Sequence, residues 1–153
     1  MNNNRTKEDV KEKALRLLEF RTHSEHELRE KLYCFGGESE DIDYAIEFCK
    51  EYGFLNDENY AMALARDLSN LKKYGKYRIK SELLKRGINP ELAEAALYEI
   101  EDSIEVLVEL VRKKLKGSFE KKDTERAIRY FMYRGYSLAD IKHAIERLKS
   151  NEF

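Results

Sequence analysis

Between residues 71 and 88 the stretch LKKYGKYRIKSELLKRGI carries seven basic side chains and one acidic one, and between 112 and 134 the count is nine to three. Cations at that density can neutralise phosphates by displacing counterions, or meet carboxylates on a protein surface. The first window supplies Lys72, Lys73, Lys76, Arg78, Lys80, Lys85 and Arg86. The second supplies Arg112, Lys113, Lys114, Lys116, Lys121, Lys122, Arg126, Arg129 and Arg134. Helical geometry spreads such residues around an axis, so they do not all share one face. Tyr74, Tyr77, Tyr130, Tyr133 and Tyr136 lie among them. Most read as core or rim residues, with base stacking the lesser reading. The bland alternative for both windows is a solvated charged face.

Other residue types that do chemistry are poorly arranged for it. The acidic pairs Asp41 with Asp43 and Asp57 with Glu58 fall in first helical turns, where negative charge complements the helix dipole. His23, His26, Cys34 and Cys49 fit no zinc-ligand spacing, and the cysteines read as reduced packing residues. His143 reads as a surface residue. The glycines are dispersed, so they do not form a phosphate-cradling loop. The expectation is a protein that is not an enzyme, with no catalytic residue, no metal and no cofactor.

The elements that would carry the basic residues are helices. With 39% charged residues and one proline in 153, the chain has the composition of a helix-rich protein. No apolar run reaches membrane-span length and the opening MNNNRTKEDV has no signal-peptide core, so a cytoplasmic protein is expected. The segment GFLNDENYA (53–61) reads as a helix-to-helix joint, with Gly53 closing one helix and Asn56 or Asp57 capping the next. Such joints recur. Ser24 with Glu27 forms a capping box, Asn89 precedes Pro90 at a first helical position, and Ser137 with Asp140 repeats the capping logic. These marks predict nine helices, about 6–20, 24–35, 39–52, 57–74, 76–86, 90–99, 102–116, 122–134 and 137–150, and no strand.

Aligning Gly36, Gly87 and Gly135, at offsets of 51 and 48 residues, brings apolar positions into register. Leu32, Leu83 and Phe131 coincide, as do Leu28, Ile79 and Ala127. After the glycine come Ile42, Ala93 and Ile141, then Ala45, Ala96 and Ala144, then Ile46, Leu97 and Ile145. One three-helix unit used three times is the expectation: an all-α fold of three tandem repeats, 1–53, 54–100 and 101–153, stacked as a curved, elongated solenoid. The repeats differ in charge, at −4, +1 and +2. Arg78 matches Arg126 and Arg86 matches Arg134, while the first repeat has Glu27 and Phe35 at those places. A basic stripe is therefore expected on the second and third repeats.

With these residues in place, the chain resembles the RecX family, regulators of RecA recombinase filaments. RTHSEHELREKL (21–32) is similar to the family's Arg-x-x-Ser-x-x-Glu-Leu-x-x-Lys-Leu pattern. GFLNDENYA resembles its Gly-Tyr-Leu-Asp-Asp segment, with Asn56 at one usual aspartate. YGKYRIKSELLKRGI (74–88) and YRGYSLADI (133–141) resemble its second and third repeats. The resemblance implies binding in the groove of the RecA–DNA filament, with restraint of filament growth, ATP hydrolysis and strand exchange in DNA repair, recombination and the SOS response. It implies a RecA partner, while the residues themselves predict weak non-specific DNA contact, no membrane and a monomeric chain. The residues expected to face filament or DNA are Lys72, Lys73, Lys76, Arg78, Lys80, Arg86, Arg126, Arg129 and Arg134. The alternative reading is a helical-repeat scaffold for an unrelated protein.

Overall fold

The computed structural model describes residues 5–150; residues 1–4 of the opening segment lie outside it. Among the described residues there are nine helices and no strand: α1 (Lys7–Phe20), α2 (Glu25–Cys34), α3 (Ser39–Glu51), α4 (Asp57–Asn70), α5 (Lys76–Lys85), α6 (Pro90–Tyr98), α7 (Ile104–Leu115), α8 (Lys121–Tyr133) and α9 (Leu138–Ser150). The expected caps form. Ser24 and Glu27 exchange side-chain and backbone bonds. Asn56 accepts from the Asn59 amide, Asn89 from Leu92 and Ser137 from Asp140. Asp57, the other candidate cap at that joint, instead accepts the amide of Glu25 at 2.8 Å.

The repeat is visible at atomic level. The carbonyls of the matched Leu32, Leu83 and Phe131 accept from the amides of Gly37, Ile88 and Tyr136 at 3.0 to 3.1 Å. This is the Schellman closure, with Gly36, Gly87 and Gly135 at positive φ between donor and acceptor. Every apolar position aligned across the three repeats is buried. Periodicity and glycine spacing thus locate the core together.

The chain forms two compact units, one of residues 1–64 with 83–96 and the other of residues 65–82 with 97–153. In the first, Val10 and Ala14 of α1, Leu28 and Leu32 of α2 and Ile42 to Cys49 of α3 close a core. In the second, Leu107, Val111 and Leu115 of α7 pack with Ala127 and Phe131 of α8 and Ile141 to Ile145 of α9. The first unit holds eleven Lys/Arg against seventeen Asp/Glu, a net −6, and the second eighteen against thirteen, a net +5. These agree with the −1 of the whole chain.

Two sequence expectations need correcting. Helix α4 stops at Asn70 rather than 74, because Lys73 takes a left-handed conformation, φ 58°, and the Tyr74 amide turns back to the Leu68 carbonyl. Gly75 does not close that helix and serves instead in the close approach described below. Cys49 is buried as expected, but Cys34 is exposed at the end of α2.

Candidate functional site

In the second compact unit the basic residues sort by what surrounds them. Lys72 and Lys73, on the turn after α4, meet Lys113 and Lys114 of α7 and Arg134 after α8 around an open groove of about 420 Å³, whose other walls are Leu71, Leu110, Tyr130 and Phe131. The wall contains five cations and no carboxylate. Lys72, Lys73, Lys113 and Lys114 are exposed. Water therefore solvates these charges in the free protein, and an incoming polyanion would release counterions from itself on meeting them.

One edge of the groove is an alternating ladder of cations and rings. Lys114 Nζ sits 4.0 Å from the Tyr130 ring, and the Arg134 guanidinium lies 5.5 Å from Tyr130 and 5.0 Å from Tyr74. The Arg78 guanidinium follows, 4.5 Å from Tyr74 and 4.9 Å from Tyr133. Each step sets positive charge against a ring face, which holds the flat groups in order without neutralising them. Tyr133 is 75% exposed and Tyr77 72%, so the expected core-or-rim tyrosines here form a rim.

The two arginines of the ladder are anchored. Arg78 donates Nε to Glu82 and Nη1 to the Tyr133 carbonyl, both at 3.2 Å. Arg134 donates to the Lys72 carbonyl, and Tyr136 Oη donates to that of Lys73 at 2.8 Å. Arg78 is thus half-buried and held by two bonds. The backbones beneath are in direct contact. The Gly75 amide donates to the Arg134 carbonyl at 2.9 Å and the Tyr77 amide to the Gly135 carbonyl at 3.1 Å. A Cβ on Gly75 would run into the Gly135 carbonyl and stand 2.7 Å from the Tyr136 nitrogen.

The remaining candidates lie elsewhere. Lys76, with Lys73 and Arg66, borders a basin of about 620 Å³ that also carries Glu99, Glu101, Asp102 and Asp140. Its mixed charge suits a polyanion less than the groove does. Lys80 is half-buried on α5, and Arg126 and Arg129 are exposed on α8 outside the groove. Arg86 belongs to the first compact unit, where its carbonyl accepts the Ser24 hydroxyl. Lys113 and Lys114, part of the second basic window, are absent from the shorter set of expected contact residues. Their place in the groove follows from the turn at 71–75, which returns Lys72 and Lys73 to α7, and nothing in local sequence specifies that.

The first compact unit carries a buried polar network. The Glu27 carboxyl is raised by burial, but the Ser24 amide, the Tyr60 hydroxyl and Arg21 bring it below its ordinary value. Burial and the bond to Glu27 push Tyr60 up to about 12. His23, 2% exposed, donates Nδ1–H to the Arg21 carbonyl at 2.9 Å and accepts from Lys31 Nζ at Nε2, 3.1 Å. These groups are tied to one another. Among the described residues no group of three or more His, Cys, Asp or Glu side chains is placed to hold a metal. No described helix is long and apolar enough to cross a membrane.

Comparison with known proteins gives a consistent result. Residues 11–49 match the family model described as RecX, first three-helix domain, and residues 56–97 the one described as RecX, second three-helix domain. The chain is 35% identical over 138 residues to the regulatory protein RecX of Vibrio vulnificus, covering 88% of this chain and 90% of that one. It is 34% identical over 150 residues to the regulatory protein RecX of Clostridium perfringens strain 13, covering 94% and 70%. The crystal structure of RecX from Lactobacillus salivarius superposes with a TM-score of 0.82 at 24% identity, over 94% of this chain and 96% of that chain.

Proposed function

This chain belongs to the RecX family, and from that premise we propose that it is a non-catalytic regulator of RecA. It acts in the cytoplasm, docking in the groove of the RecA–DNA filament and restraining filament growth, ATP hydrolysis and strand exchange. The observation that carries the reading is the carboxylate-free groove of Lys72, Lys73, Lys113, Lys114 and Arg134. A filament groove exposes phosphates and acidic side chains together, and a wall of solvated cations meets both while steering the approach. The tyrosines and the anchored arginines keep the wall in shape. Lys76, Lys80, Arg86, Arg126 and Arg129 are secondary contacts in this proposal. Contact with bare DNA is weak and independent of sequence, since counterion release supplies it and no helix is set apart as a reader of base edges.

The test is inhibition of RecA-catalysed ATP hydrolysis on single-stranded DNA. Lys72→Glu with Lys113→Glu reverses two exposed groove charges and is expected to raise the half-inhibitory concentration at least about tenfold. Arg16→Glu, on the exposed face of α1, is the control and should change it little. Full inhibition by the folded double variant removes the groove from the mechanism. No effect of the unaltered chain on RecA leaves the helical-repeat scaffold as the reading.

A further inference from the structure

The groove of the second compact unit has a complementary partner in the first, on α3. Glu40, Asp43, Glu47 and Glu51 recur at three- and four-residue steps and are all exposed, so their side chains form one acidic stripe along the helix. The stripe is only lightly neutralised. Asp43 pairs with Arg29 at 2.7 Å, and Glu47 meets Lys50 at the long distance of 3.8 Å. Beside its C-terminal end stand two exposed rings, Tyr52 at 61% and Phe54 at 56%, stacked with centroids 6.4 Å apart.

We propose that the basic groove of one copy of this chain takes the acidic α3 stripe of a second copy. Charge complementarity selects this occupant: a carboxylate-free wall with five cations faces four carboxylates on a unit of net −6. Steps of three and four residues set the carboxylates roughly 5 to 6 Å apart along the helix, so the stripe presents regularly spaced negative charge as a polyanion does. Apolar surface matches as well, since Leu71 at the groove is 77% exposed and Tyr130 39%, within reach of rings such as Tyr52 and Phe54. Stripe and groove are different surfaces of the same chain, so the contact is heterologous, and a pair keeps one free groove on one copy and one free stripe on the other. Both partners are exposed charges, so the association is weak and disappears when salt screens them, leaving the monomer expected from the sequence. While it lasts it occupies the groove, and a polyanion must displace the second copy to enter. The proposal goes beyond regulation of RecA and stands whether or not RecA is the partner.

The experiment is sedimentation velocity on the full chain at about 20 mM and about 300 mM salt, conditions in which the screening length falls from roughly 20 Å to 6 Å. The unaltered chain should sediment faster with rising concentration at low salt and as a monomer at high salt. Glu47→Gln with Glu51→Gln spoils the stripe and keeps the groove. Lys72→Glu with Lys113→Glu does the reverse. Each variant alone should be monomeric at both salts, and circular dichroism should confirm unchanged helix content. Mixed in equal amounts at low salt, they should form dimers and nothing larger, because only one productive contact remains between them. Heparin added to the unaltered chain should dissolve the association. A chain that is monomeric at low salt overturns the proposal. So does association by either variant alone, or a mixture that stays monomeric.

Discussion

The joint at Ser24 and Arg86 in the first compact unit and the joint at Gly75 and Arg134 in the second occupy equal places in the repeat, yet they close differently. In both, the turn after the second helix of one repeat offers a carbonyl to the N-terminus of the second helix of the repeat before it. Arg86 accepts from the Ser24 hydroxyl, whereas Arg134 accepts from the Gly75 amide itself. With a side chain between, the chains stand far enough apart for residue 24 to carry a Cβ. With backbone on backbone they do not, and two glycines face each other. Phe35, the third equivalent, has its carbonyl taken by Arg5 Nε at 3.1 Å. The repeat therefore prescribes that this carbonyl be satisfied and leaves the donor to vary, as the cost of an unmet buried acceptor requires.

The strictest test of the difference is Gly135→Ala. The new Cβ would collide with Arg78 and stand 2.7 Å from the Gly75 carbonyl oxygen, at a φ of +105°. Neither obstacle is the end of a flexible side chain. A loss of more than about 3 kcal/mol is expected, from the strained backbone and from a contact that cannot relax. Thermal unfolding followed by circular dichroism reads the total, and hydrogen exchange at the Gly75 and Tyr77 amides should show the joint opening. A loss below about 1 kcal/mol would mean the two backbones are not held this close.

Arg78→Ala comes next. It removes the donor to the Tyr133 carbonyl and the rung between Tyr74 and Tyr133, and should lower the unfolding midpoint by roughly 2 to 4 °C. Arg126→Ala, at the matching position of the next repeat but exposed, should move it by little, as exposed substitutions generally do. Equal midpoints for the two variants would mean that the ladder has no hold on the joint. Ser24→Ala should cost about 1 to 2 kcal/mol, because one hydroxyl both caps α2 and reaches the Arg86 carbonyl. That loss should be smaller than for Gly135→Ala, and the reverse order would overturn the distinction between a joint closed through a hydroxyl and one closed backbone to backbone.

Much of this architecture is legible in the residues. The aligned Leu32, Leu83 and Phe131 mark both core and turn, because a helix face and a Schellman closure are local and each leaves a pattern at fixed spacing. The donors at the joints are not legible in that way. Ser24 and Arg86 are 62 residues apart, and Arg78 and Tyr133 are 55 apart. A charge window cannot separate Arg78, held by the distant Tyr133 carbonyl, from exposed Arg126, since both lie in similar basic surroundings. Gly75 misleads for the same reason. Its type suggests a helix stop, but the demand on it comes from Gly135, and Lys73 takes the left-handed turn.

Acid should separate the two joints by the smallest of these effects. His23 lies next to Ser24 in the first unit, where burial, helped by the charges of Arg21 and Lys31, holds its pKa below the ordinary value against the opposing Arg21 carbonyl and Glu27. The unfolded chain takes up the proton near pH 6.5, while the folded one resists it until lower pH. Stability contributed by neutral His23 is therefore complete well above pH 6.5 and declines as pH falls through that value toward the folded pKa. Protonation would also put an N–H at Nε2 against the Lys31 ammonium. The second unit contains one histidine, His143, which is exposed, so its joint has no comparable group. Between pH 7 and 5, protection against hydrogen exchange, corrected for the intrinsic pH dependence of amides, should fall first around residues 23–28 and 86–88, with residues 75–79 and 135–136 lagging. His23→Asn keeps a donor for the Arg21 carbonyl and removes the titration, so its stability should fall less steeply over the same range, by at most about 1.4 kcal/mol per pH unit for one proton. Parallel pH curves for the variant and the unaltered chain would place the acid sensitivity elsewhere, and simultaneous opening of both joints would erase the difference between them.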